Sequence, residues 1–141
     1  MNLDEARQVL SEHAKSKRNG QFEPRAELTA KLLNPICGDQ VEMRARIENG
    51  ILRDVGFAAR ACAICSASAS LLSEAASGWT IGDARDLKGL FEKAVTQSAD
   101  ESWPEELNAF RSFEHLRLNP RRRGCAILPW LALVKLDSKL E

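Results

Sequence analysis

Between Val41 and Glu48 apolar and charged residues alternate without a break: Val41, Met43, Ala45 and Ile47 against Glu42, Arg44, Arg46 and Glu48. Period two marks a strand with one face buried and one in water. Asn49-Gly50 follows, a hairpin signal. Loop length sets the register. A two-residue loop opposes Ile47 to Leu52 and leaves Val55 and Phe57 on the polar face. A three-residue loop, Glu48-Asn49-Gly50, pairs Ile47 with Ile51, Met43 with Val55 and Val41 with Phe57. The three-residue hairpin is therefore expected, with Gly50 in the left-handed position of a bulge. Residues 26–33 read as another strand, broken by Asn34-Pro35, with Cys37-Gly38-Asp39 in the loop that follows.

Elsewhere the period is helical. Asn2 with Glu5 three residues on has the form of a capping box, and Ala6, Val9, Leu10 and His13 share one face. That predicts a helix over about 3–18, stopped at Asn19-Gly20. After Phe57, Ile64, Ala67, Leu71, Leu72 and Ala75 trace a second stripe that ends near Gly78, with Cys62 at its start. Its run of small alanines and serines suits close packing on a sheet. Thr80 and Asp83 form another cap pattern before Ile81, Ala84, Leu87, Phe91, Ala94 and Val95. Residues 96–103 read as a polar connection, and Pro104 opens a short helical segment, EELNAF. A last helix is predicted over about 126–139, with Ile127, Leu131 and Val134 inward and Cys125 at its start. The fold class is α+β: a small three-stranded antiparallel sheet with helices packed on it, in a single domain over 1–141.

Charge narrows the function. Lys+Arg and Asp+Glu both total 20, so no global field favours nucleic acid or an anionic membrane. Asp4, Glu5, Arg7 and Glu12 occupy the stretch where a signal peptide would be apolar, and no run approaches the roughly 20 apolar residues that span a bilayer. A cytoplasmic location is the expectation.

The chemistry rests on four cysteines, Cys37, Cys62, Cys65 and Cys125. In a reducing compartment cysteines serve as metal ligands, reactive thiols or packing residues more often than as disulfides. Cys37 follows a proline turn, and Cys62 and Cys125 fall at predicted helix starts, where free N–H groups favour a thiolate. Three such thiols and a nearby carboxylate can form a four-coordinate zinc site. Cys62-x-x-Cys65 also places two thiols on one helical face, so spacing leaves the ligand set open. Asp39 is equally a residue type that turns favour.

Three ordered motifs carry a family resemblance. Leu33-Asn34-Pro35-Ile36-Cys37-Gly38-Asp39 resembles the N-P-x-C-G-D loop of the SufU/IscU/NifU N-terminal family of iron–sulfur cluster assembly proteins. Phe57 through Leu72 resembles that family's second motif, a cysteine before a small-residue helix start. Arg122 through Trp130 resembles the R-x-K-C-A-x-L-x-W motif of the SufU branch. Gly124 stands where IscU-like scaffolds carry a histidine, and the 63-residue separation of Cys62 and Cys125 fits the SufU branch.

The resemblance implies zinc held by Cys37, Asp39, Cys62 and Cys125. It implies a SufS-type, pyridoxal phosphate-dependent cysteine desulfurase as partner, with downstream iron–sulfur assembly proteins after it. A partner histidine would take one coordination position and free Cys37 to accept persulfide sulfur. The reading is a zinc-dependent sulfurtransferase. Its alternatives are a scaffold for a transient iron–sulfur cluster and a non-catalytic adaptor.

Some residues depart from the pattern. Cys65 stands where the family has a small residue. It is read either as a half-buried packing residue or as a competing ligand or second relay thiol. Gly124 also replaces a lysine, for which Arg121, Arg122 and Arg123 supply charge. Those arginines are either a solvated turn or a docking patch, with Arg122 orienting the site. Trp130 is read as core, His13 and His115 as lone histidines outside any ligand pattern, and Trp79 and Trp103 as partner contacts or plain surface.

Overall fold

The computed structural model describes residues 1–35 and 38–137. Helix α1 (Leu3–Ala14) precedes three strands, β1 (Leu28–Leu33), β2 (Gln40–Glu48) and β3 (Ile51–Arg60). Helices α2 (Ala63–Ala75) and α3 (Ile81–Ala94), a 3-10 segment (Glu105–Leu118) and α4 (Pro120–Lys135) follow. The strands form one antiparallel sheet in the order β1-β2-β3, as the alternation predicts.

The hairpin corrects the three-residue expectation. Ile47 pairs with Leu52 and Glu48 with Ile51, so the loop is the two residues Asn49 and Gly50, both at positive φ (54° and 79°). This is the I′ geometry that Asn-Gly prefers. The parity problem is solved further along β3. The register slips between Arg44 and Arg46, Asp54 adopts φ 53°, and Asp54 and Val55 together oppose Ala45. That bulge returns Phe57 to the same face as Leu52, and both are buried. A glycine was not needed at the bulge, because Asp tolerates the left-handed region and here takes an ion pair from Arg46.

Helix α2 lies at the centre. A single apolar stripe understates it, since every residue from Cys65 to Ser73 is buried. Small side chains let the sheet, α1 and α4 approach it, and each buried hydroxyl finds a partner. Ser68 Oγ donates to the Ala126 carbonyl (2.6 Å), Ser73 Oγ to the Ser70 carbonyl (2.7 Å), and Ser66 Oγ to the Ala61 carbonyl (3.4 Å). Ser70 Oγ meets His13 Nδ1 at 2.8 Å, and Arg18 donates to the Ser70 carbonyl at 3.1 Å. Those two contacts fasten α1. They also explain why α1 ends at Ala14 and not near residue 18: Arg18 leaves the helix to reach Ser70 and Glu74.

Two further boundaries differ. The segment after Pro104 runs on to Leu118 as 3-10 turns with kinks at Leu107 and Phe110. Helix α4 starts at Pro120, where proline's missing N–H costs nothing, not near residue 126. Its inward residues are Cys125, Ala126, Leu128, Pro129, Trp130, Ala132 and Leu133, while Ile127, Leu131 and Val134 are only half-buried. The predicted end at 139 lies outside the described residues.

The face of the sheet away from α2 is partly covered by Phe22. Its ring sits on Gly56, and the Arg44 guanidinium stacks over it 4.1 Å from the centroid. A Cβ at Gly56 would lie 3.0 Å from Phe22 Cδ1 and 3.3 Å from the Gln21 carbonyl oxygen. Gly56→Ala should therefore cost about 1 kcal/mol, read as a lower urea midpoint at unchanged m.

Candidate metal centre

At one end of the sheet the chain returns three times to the same place. Between β1 and β2 the Asn34 N–H donates to the Asp39 carbonyl and the Gly38 N–H to the Asn34 carbonyl, both at 2.8 Å. Gly38 has φ 75°, a conformation that only glycine adopts cheaply. This loop delivers Asp39 to the top of β2, where it is buried.

Cys62 follows β3 directly and is the N-cap of α2. Its Sγ takes the place of a serine or aspartate cap, accepting the Cys65 N–H at 3.5 Å. Its own N–H donates to Asp39 Oδ1 at 2.9 Å, which aims the carboxylate's other oxygen at the sulfur: Oδ2 lies 3.7 Å from Cys62 Sγ. Cys125 approaches from α4. It sits in the second turn, not at the helix start, so the helix N-terminus does not account for its reactivity. Pro129 lacks the N–H that would bond the Cys125 carbonyl, and Ser68 of α2 holds the next carbonyl, Ala126.

The ligand atoms of Asp39, Cys62 and Cys125 all lie within 4.8 Å of one another. A tetrahedral ion with sulfur at about 2.3 Å and oxygen at about 2.0–2.2 Å sets its donors roughly 3.5–3.8 Å apart. The trio's span of at most 4.8 Å is of that order, and its two thiols and one carboxylate are a donor set suited to zinc or iron. Asp39 and Cys125 are buried and Cys62 is half-buried, so the site is shielded on the protein side and open at Cys62.

Electrostatics follow from the packing. Burial, with the Asp39 carboxylate and Cys62 alongside, pushes the Cys125 thiol well above the ordinary cysteine range. The charge of Cys62, a hydrogen bond to it and the charge of Cys125 raise the already high pKa of the Arg122 guanidinium. Arg122, exposed at the start of α4, thus carries its positive charge in the electrostatic neighbourhood of both thiols.

The other sequence candidates sort themselves. Cys37 lies outside the described residues. Cys65 is fully buried in the hydrophobic core and is not in the three-residue ligand cluster. Of the three arginines, Arg123 is half-buried: it donates to the carbonyls of Leu116 (3.3 Å) and Arg117 (2.7 Å) and ties α4 to the 3-10 segment. Gly124 is exposed with open space where a side chain would project. Trp130 is core, stacked on Phe91 and Trp79 with centroids at 5.1 Å and 5.8 Å. The Ser68 bond to the Ala126 carbonyl beside Cys125, and the buried role of Arg117 away from the site, were not read from the sequence. A serine in an otherwise apolar helical run was the available signal for the first. Nothing local distinguished Arg117 from other arginines.

Residues 4–106 match the family model of the NifU-like N-terminal domain, almost three-quarters of the chain. The chain belongs to that family. Relatives of this NifU-like chain carry more specific names. It is 30% identical over 142 aligned positions to the zinc-dependent sulfurtransferase SufU of Bacillus subtilis, covering 99% of this chain and 95% of that one. It is 28% identical to the iron–sulfur cluster assembly scaffold protein IscU of Streptococcus pyogenes, covering 89% and 77%. Among solved structures, one described as an iron–sulfur cluster assembly scaffold for the SUF system of Fervidobacterium islandicum superposes with a TM-score of 0.77 at 26% identity, covering 89% and 90%. Among the described residues of this NifU-like domain, no helix is long and apolar enough to cross a membrane.

Proposed function

We propose that this NifU-like protein is a zinc-dependent sulfur relay, taking persulfide sulfur from a SufS-type cysteine desulfurase for iron–sulfur cluster assembly. The observation that carries the reading is the convergence of Asp39, Cys62 and Cys125 from three separate segments within 4.8 Å. Full-length similarity to a zinc-dependent sulfurtransferase supports it. Zinc, held by these three residues and Cys37, would keep the sulfurs as thiolates at neutral pH and mask them until a donor docks. The chain's own part is positional. Asp39 is aimed by the Cys62 N–H, Cys62 is held by the cap of α2, and Arg122 offsets negative charge beside the sulfurs. Cys37, two residues after Pro35 in the sequence, is the acceptor. Its thiolate attacks the outer sulfur of the donor persulfide, the Cys37 S–S bond forms, and the donor thiolate leaves. One sulfur moves with no net oxidation.

The surroundings suit docking. Arg60, Arg121 and Arg122 are exposed near the site, and among the described residues no carboxylate pairs with Arg60 or Arg121. Two exposed large apolar residues, Leu33 (55%) and Leu118 (76%), end β1 and precede α4. Arginine around exposed leucine favours an acidic, partly apolar partner surface.

Mass spectrometry after incubation with desulfurase and cysteine should find one added sulfur on Cys37. Cys37→Ala should stay folded, gain no sulfur and stimulate desulfurase turnover by less than a tenth of the wild-type effect. Full stimulation by Cys37→Ala would leave an adaptor and remove the relay.

A further inference from the structure

The zero net charge hides an uneven distribution. On the other flank of the molecule a cavity of about 440 Å³ is lined by Trp79, Asp83, Asp86, Leu87, Leu90 and Glu106. Its relation to the metal centre follows from α4. Cys125 and Trp130 lie five residues apart, so they point about 140° apart around the helix and roughly 7.5 Å apart along it. Trp79 stacks on Trp130, which places the cavity on the side of α4 turned away from Cys125.

Its walls combine two chemistries. Leu87 and Leu90 stand at the margin of the buried face of α3, and both stay half-exposed beside the half-exposed Trp79. Around this apolar floor stand three carboxylates. Asp83 accepts the Thr80 N–H at 3.0 Å in the cap of α3, while Asp86 and Glu106 take part in no ion pair among the described residues. The cations nearest in sequence are committed elsewhere: Arg85 pairs with Asp137 and Lys88 with Glu92. Asp86 and Glu106 thus stand beside a half-buried Trp-Leu-Leu floor with no ion-pair partner among the described residues.

We propose that this groove docks a basic amphipathic segment of a partner protein, distinct from any partner at the metal centre. One turn of an incoming helix would place two apolar side chains on Trp79, Leu87 and Leu90, and lysines or arginines against Asp83, Asp86 and Glu106. Indole and leucine supply the area, and the carboxylates supply orientation and salt sensitivity. The sign of the charge turns away nucleic acid and anionic lipid surfaces. The assignment uses no metal ligand, so it stands or falls apart from the sulfur relay.

The test titrates the full chain, isotope-labelled, with a capped helical peptide carrying two leucines one turn apart and four flanking lysines. The Trp79 indole N–H and the amides of residues 83–90 should shift. Affinity should fall about fivefold in Asp86→Asn/Glu106→Gln, which spares the Asp83 cap, and should fall again as salt is raised. Three results would each overturn the proposal: a glutamate version of the peptide binding equally well, unchanged affinity in the double variant, or shifts confined to other surfaces. Displacement of the peptide by equimolar spermidine would do so too, since it would mark a simple cation site.

Discussion

On the proposed sulfur-relay function, Cys62→Ala should strip the metal and the relay activity together, because this one side chain is both a proposed ligand and a helix cap. In the proposed metal centre it would offer the half-buried sulfur of the trio. As the N-cap of α2 it accepts the Cys65 N–H. Losing the cap costs about 1 kcal/mol, or about 3 °C in Tm for a chain of this size. Losing a ligand costs far more. Outer-sphere changes at zinc sites already weaken binding about 10–100-fold, so removal of a direct thiolate should exceed a hundredfold. Cys62→Ser separates the two effects. Its hydroxyl restores the cap, and its apo form should melt within about 1 °C of wild-type apoprotein, yet it offers no thiolate. Zinc titration against a chromophoric chelator should place both variants equally low, while thermal melting sets them apart. Sulfur loading of Cys37 should be lost in both. If Cys62→Ser kept wild-type zinc affinity, the ion would have to be held elsewhere. Cys62→Ser/Cys65→Ser then asks whether the buried neighbouring thiol has stepped in.

The same double duty explains what could be read from the sequence. Local signals that act through the backbone alone were legible: the strict alternation of β2, the Thr80-Asp83 capping box and the family motifs around Cys62. Signals whose outcome depends on a distant partner were not. The hairpin is the clearest case. Asn49-Gly50 indicated a two-residue turn, but the apolar parity of Val55 and Phe57 argued against it. The bulge that reconciles them is at Asp54, where Arg46 across the strand pair supplies an ion pair. Cys125 is another. The arginine run before it looks like a turn, since cations in a first helical turn oppose the macrodipole. Helix α4 accepts them because Arg123 is spent on the carbonyls of Leu116 and Arg117, and the Cys62 and Cys125 thiols favour the Arg122 charge. The motifs carry Asp39, Cys62 and Cys125, which the fold brings within 4.8 Å of one another, while Cys37 lies outside the described residues. The motifs did not indicate that Cys125 approaches from the second turn of a helix that begins at Pro120.

Arg117→Met should be among the most damaging changes away from the metal centre, at about 3–5 kcal/mol. Arg117 is only 6% exposed, deep for an arginine. Its Nε donates to the Ala94 carbonyl at 2.8 Å, its Nη1 to the Glu101 carbonyl at 2.6 Å, and its Nη2 to Gln97 Oε1 at 3.4 Å. Ala94 is the last residue of α3, so the guanidinium serves that helix as a C-terminal cap and meets the negative end of its dipole. The fork also fixes the connection over 96–103, a stretch with little apolar anchoring of its own, and it lies 5.5 Å from the Trp103 ring centroid. Methionine fills much of the volume but leaves the carbonyls of Ala94 and Glu101 without their donor, which is the costly half of breaking a buried bond. Lysine keeps the charge and loses the planar fork, so Arg117→Lys should fall between, at about half the loss. Urea unfolding of the two variants should give that order. Their zinc affinity should match wild type under folding conditions, since no side-chain atom of Arg117 contacts Asp39, Cys62 or Cys125. Against a total stability of about 5–15 kcal/mol, a loss of this size moves the Arg117→Met variant close to the unfolding threshold at 37 °C. A loss under about 1 kcal/mol would mean that water replaces the guanidinium at both carbonyls, and that α3 ends where it does for reasons of its own sequence.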